Sequence, residues 1–389
     1  MDARSLNTDY LMVTARRPQL VMTKGQGAWL YDSAGRRYLD FIQGWAVNCL
    51  GHCPQVIAQA LAAQAGELLN CSPAFFNARA AEAAELVARH SFGERTFFAN
   101  SGAEANEGAI KLARKWGQKR GAYEIITMQG GFHGRTLATM SATGKPQWKD
   151  LFEPKVPGFV HVPLNDLAAV ESAIGPKTVA VMLEPIQGEA GVWPATDSFL
   201  RELRELTRRR SLLLIVDEIQ TGVGRTGQLW GYEASGIEPD IMTLGKGLAG
   251  GLPAAALVAK DEICVFEPGD QGGTFNGAPL ISAVVSAVLK TVAEPAFLEQ
   301  VRANGDYFKQ RLQALSEKHG HGEVRGRGLL LALALRKGSG TAIVQAALER
   351  GLLINSPRED SLRFMPALNV SPAEIDEAVA LLDSALSAG

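Results

Sequence analysis

Residues Ser211–Asp217, "SLLLIVD", run five apolar residues in succession into an aspartate. A strand apolar on both sides of its pleat must be covered on both faces. Runs of the same kind recur as "RTFFAN" (Arg95–Asn100), "YEIITM" (Tyr123–Met128), "TVAVMLE" (Thr178–Glu184), "DIMTLGK" (Asp240–Lys246) and "AAALVAK" (Ala254–Lys260). Between them lie helical stretches, from about Ala103 to Gly117 and over "FLRELRELTRRR" (Phe199–Arg210). The alternation predicts an α/β fold: a mostly parallel central sheet with helices on both faces. Towards the C-terminus, "VRGRGLLLALAL", "GLLINSP" and "SLRFMPAL" read as strands of a smaller α+β domain, which the early hairpin Ala28–Ile42 joins. The expected division is a large domain over residues 50–279 and a small domain from residues 1–49 and 280–389. A chain of 389 residues is long enough for both cores.

Charge narrows the partners. The net charge of −2 offers no cationic surface to nucleic acid or an anionic membrane, and Arg208–Arg210 reads as a solvated helix end. The apolar run "LLLALAL" (Leu329–Leu335) is too short to span a bilayer. The opening "MDARSLNTDYLMVTARR" has no apolar block of signal-peptide length, and its Asp2 and Asp9 argue against a transit peptide. A cytoplasmic location with reduced thiols is therefore expected. Cys49, His52 and Cys53 match no common zinc spacing, so no metal is expected.

In open α/β sheets ligands bind beyond the carboxyl ends of the strands. Those ends carry, in order, "NSGAEANEG" (Asn100–Gly108), "GGFHGRT" (Gly130–Thr136), "EPIQGEAG" (Glu184–Gly191), "DEIQTGVGRTG" (Asp217–Gly227) and "LGKGLAGGLP" (Leu244–Pro253). Ser101, Gly102 and Ala103 open a helix whose N-terminus suits a phosphate, although Ser101 alone reads as an N-cap. Lys246 sits at an apolar strand end, where burial makes an amine nucleophilic. The acids of "LLLIVDE" also resemble a Walker B strand, but neither "GKG" (Gly245–Gly247) nor "GKP" (Gly144–Pro146) completes a P-loop. A non-catalytic binding protein would leave a buried lysine facing an aspartate unexplained. One ligand uses every feature. Pyridoxal 5'-phosphate has an aldehyde for Lys246, a phosphate for residues 101–103, a ring nitrogen for Asp217 and a flat ring for Phe132.

Together with "GAWLYDSAGRRYLDF" and "LRFMPAL", these segments give the chain a resemblance, over nearly its whole length, to the class III aminotransferases of the ornithine/acetylornithine type. The resemblance implies fold type I and transfer of the terminal amino group of an ω-amino donor, N-acetylornithine first, to 2-oxoglutarate by a ping-pong route. It gives Lys246 and Asp217 catalytic roles. Ser101, Gly102, Ala103, Phe132, Glu218, Gln220 and Thr274 join them around the cofactor, with Gln220 on the ring hydroxyl and Thr274 reaching the neighbouring subunit's phosphate in a homodimer. Arg135, Glu189 and Arg363 would bind substrate, Glu189 masking Arg363 until an α-carboxylate claims it. His133 and Arg225 read as structural, and Glu218 could also cap a neighbouring turn.

The chain departs from the family pattern at four positions in two segments. Against the usual "GSTFGGNP" it has "GGTFNGAP" (Gly272–Pro279), with Gly273 where a serine often meets substrate, Asn276 for a glycine and Ala278 for an asparagine. In "GWAVNCLGH", Trp45 replaces a smaller aliphatic residue, either shaping the donor pocket or packing at the domain interface. The donor could accordingly be succinylornithine, ornithine, 4-aminobutyrate or β-alanine instead.

Overall fold

The structure, a computed structural model, describes residues 6–387. Residues 1–5, with Asp2 and Arg4, and residues 388–389 lie outside the described residues, so their assignment to the small domain has no structural counterpart here. The central sheet has seven strands, numbered in chain order: β1 (Arg95–Ala99), β2 (Glu124–Met128), β3 (Phe159–Val162), β4 (Thr178–Leu183), β5 (Leu213–Asp217), β6 (Ile241–Leu244) and β7 (Ala255–Ala259). Their order across the sheet is β1-β7-β6-β5-β4-β2-β3. Only β7 runs against its neighbours, pairing antiparallel with β6 and β1. The expected strand "AAALVAK" thus extends the sheet in the opposite direction.

Strand parity sorts the core. Leu214 and Val216 of β5 pack in the same cluster as Phe199 and Leu203 of helix α2 (Asp197–Arg209). Leu213 and Ile215 pack with Ile110 and Leu112 of helix α1 (Gly102–Gly117) on the other face. Both helices start at side-chain caps: Ser101 Oγ accepts from Glu104 N–H, and Thr196 Oγ1 from Phe199 N–H. Along α2, Phe199, Leu200, Leu203 and Leu206 are buried while Arg201, Glu202 and Glu205 face water, the 3.6-residue pattern of a helix on a sheet. Each such side chain contributes about 1.5–3 kcal/mol by leaving water.

Two smaller sheets use both ends of the chain. Strands Met22–Gln26, Trp29–Asp32 and Arg37–Asp40 form a meander, and Leu352–Leu353 adds to it in parallel, Leu352 opposite Leu39. A second, antiparallel sheet joins Val324–Arg327, Leu330–Ala334, Ser361–Phe364 and Asn355–Arg358. The segment "GLLINSP" is therefore two strands in different sheets, split at the buried Ile354. Helix Pro279–Val292 packs on helices Gln55–Ala65 and Ala78–Arg89 of the large domain, and Lys290 Nζ lies 2.6 Å from Glu82. We therefore move the proposed domain boundary from 279/280 to the 69° bend between that helix and Pro295–His319. No single helix among the described residues is long and apolar enough to cross a membrane. The bent pair passes only on joint length and composition, and its Val284, Val288, Phe308 and Leu312 are core residues.

One buried ion pair ties α2 to the sheet. Arg204 Nη1 and Nη2 each lie 2.6 Å from an oxygen of Asp240, which also accepts from Leu214 N–H at 2.8 Å. Removing one partner leaves an uncompensated charge in the interior, whereas removing both does not. Arg204→Met should lower unfolding free energy by about 3–5 kcal/mol. Adding Asp240→Asn should recover part of the loss in the same denaturant titration.

Candidate active site

The carboxyl ends of β2, β4, β5 and β6 meet the N-terminus of α1. Asp217 stands two residues beyond Ile215 and so points to the α1 side of the sheet. There its Oδ2 accepts from Asn106 Nδ2 at 2.8 Å and lies 2.8 Å from His133 Nδ1. Its Oδ1 accepts from Ile219 N–H at 3.1 Å. Asn106 is itself fixed, donating to His133 O at 2.7 Å and accepting from Thr243 Oγ1 at 2.7 Å. Burial opposes a charged His133, but the Asp217 carboxylate, with Glu184 beyond it, raises its pKa above the ordinary value. The result is an oriented carboxylate shielded from water.

Glu218 needs a correction as a cofactor-binding residue. One position along the strand reverses the side-chain direction, and its carboxylate is taken up by the turn that follows. Oε2 accepts from Thr221 Oγ1 at 2.5 Å and Gly231 N–H at 2.9 Å, and Oε1 from Tyr232 N–H at 2.7 Å. Burial pushes its carboxyl up to about 7. It caps the turn.

Lys246 follows β6 with φ of +44°, a left-handed conformation that a non-glycine holds only under constraint. Burial lowers the pKa of its amine. The charges of Glu189, Asp217 and Glu184 oppose that effect, and Arg363 adds to it. The charges of all four groups are felt by this one buried amine. Glu184 Oε2 accepts from Phe132 N–H at 2.9 Å, and burial raises its carboxyl to about 7.

Opposite stands an ion-pair cluster. Arg363, 1% exposed, donates through Nε to Asn355 Oδ1 at 3.1 Å and through Nη1 to Gln220 Oε1 at 3.4 Å. Its Nη2 lies 2.8 Å from Glu189 Oε1, and Glu189 Oε2 lies 3.2 Å from Lys145 Nζ. Burial would raise the Glu189 carboxyl, but Arg363 and Lys145 outweigh it and hold it near 2 instead of 4.5. The stability this pairing lends is full above pH 4.5 and fades only as pH falls towards 2. Gln220 lies across Gly188, where a Cβ would fall 1.5 Å from its Oε1. Trp45, also at positive φ, is half-exposed with its ring 5.7 Å from the Arg363 guanidinium. It therefore faces the cluster and is not packed away at the domain interface. Arg135 is exposed and lies over Trp148 and Phe132 at 5.0 and 6.0 Å.

At the phosphate end, Ser101 is an N-cap, and Gly102 is covered by Ile219, whose Cδ1 would be 2.6 Å from any Cβ there. Ala103 faces Gly134 of the Phe132 loop. The 272–277 loop explains two departures at once. Asn276 Oδ1 accepts from Asn100 Nδ2 at 2.8 Å, beside the start of α1. A Cβ on Gly273 would lie 2.6 Å from the Asn276 side chain. A serine at 273 would therefore push the Asn276 side chain aside. Thr274 is exposed, its carbonyl accepting from Asn70 Nδ2 at 3.3 Å. Phe275 of this loop lies exposed, as do Leu68, Leu69, Phe75 and Phe76 of the segment that carries Asn70.

The side chains suit pyridoxal phosphate: a depressed lysine amine, a buried acceptor with capacity left on Oδ1, and a helix N-terminus where Gly102 lets Ile219 pack close. Three contributors escape the sequence reading in part or whole. His133, read as a loop brace, braces Asp217. Asn106 and Ile219 were not singled out, although Asn106 sits with Ala109, Ile110 and Ala113 on the buried face of α1. A polar residue in an apolar stripe is the signal that finds it. Arg225, read as a brace, is buried and donates to Leu329 O and Pro366 O at 3.0 and 2.5 Å. Cys49 and His52 have separate partners, Gly247 O at 3.2 Å and Asp40 Oδ2 at 2.9 Å.

The family model described as "Aminotransferase class-III" matches residues 10–386. The chain is 55% identical over 387 residues to an acetylornithine aminotransferase of Ralstonia nicotianae, covering 97% of each chain. It superposes on a solved acetylornithine aminotransferase from Elizabethkingia anophelis with a TM-score of 0.88 and 32% identity, covering 100% of both chains. An ornithine aminotransferase from Toxoplasma gondii, solved with partial occupancy of pyridoxal phosphate at its active site, gives a TM-score of 0.93 at 32% identity, covering 98% of this chain and 93% of that one.

Two outcomes are expected. Asn106→Ala leaves the buried Asp217 short of a donor and should lower thermal stability by about 1–3 kcal/mol. Gly273→Ser displaces Asn276 from Asn100 and should cost about 1 kcal/mol. Adding Asn276→Gly should remove most of that increment, a non-additivity that a double-mutant cycle of melting curves reads directly.

Proposed function

The chain belongs to the class III aminotransferases, a pyridoxal-phosphate-dependent family, and we propose that it moves the terminal amino group of N-acetylornithine to 2-oxoglutarate, giving a semialdehyde and glutamate. What carries the reading is a buried Lys246 whose amine feels the charges of Asp217, Glu189 and Arg363, with the last two paired at 2.8 Å, together with the 55% identity to the Ralstonia enzyme.

Pyridoxal phosphate, when bound, supplies an aldehyde for the amine and a ring that accepts electrons from the adjacent carbon. The rest falls to the protein. Asp217, oriented by Asn106 and His133, keeps the ring nitrogen protonated. Phe132 covers the ring, Gln220 holds its hydroxyl, and Ser101, Gly102 and Ala103 present the helix N-terminus to the phosphate. Lys246 Nζ would be the amine that meets the cofactor's aldehyde and, once the donor amine takes that place, the base that holds and moves the proton of the amine-bearing carbon. Arg135 binds the donor carboxylate. Glu189 masks Arg363 while the donor is bound and uncovers it for the α-carboxylate of 2-oxoglutarate, so one cleft serves two substrates in ping-pong order. Thr274 completes the phosphate site of a second copy, and the exposed Leu68, Phe75, Phe76 and Phe275 beside it supply an apolar contact for that homodimer. A cytoplasmic location accords with four free cysteines.

The second reading is another ω-amine donor, favoured by Trp45 standing beside Arg363 where the family has a smaller residue. Glutamate formation by purified enzyme from 2-oxoglutarate and a panel of ω-amines decides between them. N-Acetylornithine should give the highest kcat/KM, and a tenfold better rival would transfer the assignment to that amine. Lys246→Ala should abolish turnover and the absorbance of lysine-bound cofactor. A fully active alanine variant would remove Lys246 from the mechanism.

A further inference from the structure

Glu189 is held by two cations whose surroundings differ. Arg363 is 1% exposed and anchored by Asn355 and Gln220. Lys145 is 20% exposed and lies beside the 3-10 turn Pro146–Trp148. Its Nζ stands 4.8 Å from the Phe132 ring and 5.3 Å from the Trp148 ring. Aromatic faces attract an ammonium without occupying its hydrogen bonds, so this cation is held in place and remains free to pair. On the Lys145 side of Glu189 opens a cavity of about 450 Å³, lined also by Trp148, Arg358 and Glu359. The carboxylate has room to move there.

The masking role of Glu189 poses a problem that Arg363 alone does not solve. When a substrate carboxylate takes Arg363, Glu189, whose side chain is 30% exposed, loses the more buried of its two cationic partners, and a partly buried carboxylate left with no cation would be unfavourable. We infer that Lys145 is the second seat of Glu189: a specificity-determining residue that receives the carboxylate when Arg363 is claimed. The inference rests on the Glu189–Arg363 gate proposed above. Glu189 exchanges one ion pair for another that is already 3.2 Å away. Lys145 thereby lowers the cost of unmasking, which only dicarboxylates such as 2-oxoglutarate and glutamate require. Because Lys145 also touches Phe132, the seat belongs to the loop that covers the cofactor ring.

The test is calorimetric titration of the holoenzyme with glutarate, a dicarboxylate that cannot react, alongside kcat/KM for 2-oxoglutarate and for the amino donor. Lys145→Met should weaken glutarate about tenfold and lower the ratio of the two kcat/KM values similarly, while Lys145→Arg should restore both. Glu189→Gln should tighten glutarate, and in that background Lys145→Met should change its affinity less than twofold. Arg358→Met, which removes a cation lining the same cavity, should leave the ratio within twofold. An equal loss from Lys145→Met with and without Glu189, or a larger loss from Arg358→Met, overturns the second seat and leaves the gate standing. If Glu189→Gln does not tighten glutarate, the gate itself fails, and the second seat with it.

Discussion

The site depends on how one carboxylate is held away from water. Asp217 is 3% exposed, and three donors from three segments converge on it: Asn106 from α1, His133 from the loop after β2, and Ile219 from the turn beyond β5. A buried carboxylate without donors is costly; the three bonds offset that cost and fix its direction. Thr243 reaches the same network through Asn106, so the ends of β5 and β6 are set relative to each other by the bonds that orient the acid. The position of Lys246, three residues after Thr243, follows from that alignment.

Six of the seven strands were legible because they are mainly apolar and need cover on both faces; β3, an edge strand with Val160 and His161 exposed, was not read. The chemistry-bearing ends were legible for a related reason: polar residues that follow such strands stand where a ligand can reach them. What the letters hide is parity. "DE" offers two adjacent acids, and their letters alone leave Glu218 open between the cofactor and a turn cap. The pleat sends Asp217 towards α1 and Glu218 towards Gly231 and Tyr232, thirteen and fourteen positions on. Counting back to Ile215, which faces α1, would have separated them. Asn106 shows the converse, a functional polar residue concealed in an apolar helix stripe.

The departures in the 272–277 loop were visible as odd letters but not as a pair. Gly273 and Asn276 are three positions apart, and only the folded loop brings the Asn276 amide into the volume a serine would fill. The missing side chain thus leaves room for the added one, and the loop gains a tether to Asn100 at the mouth of α1. Pairs of this kind are set by a turn's geometry, which residue preferences in a single sequence describe poorly.

The switch of sheets at Ile354 bears on how the molecule is made. Leu39 finds its neighbour Leu352 only after some 300 further residues have been synthesised. The N-terminal meander emerges from the ribosome with one edge unpaired and waits through translation of the entire large domain. The closing of that small sheet is therefore a late event in biogenesis, and the strands of residues 22–40 gain their last neighbour only from residues 352–353.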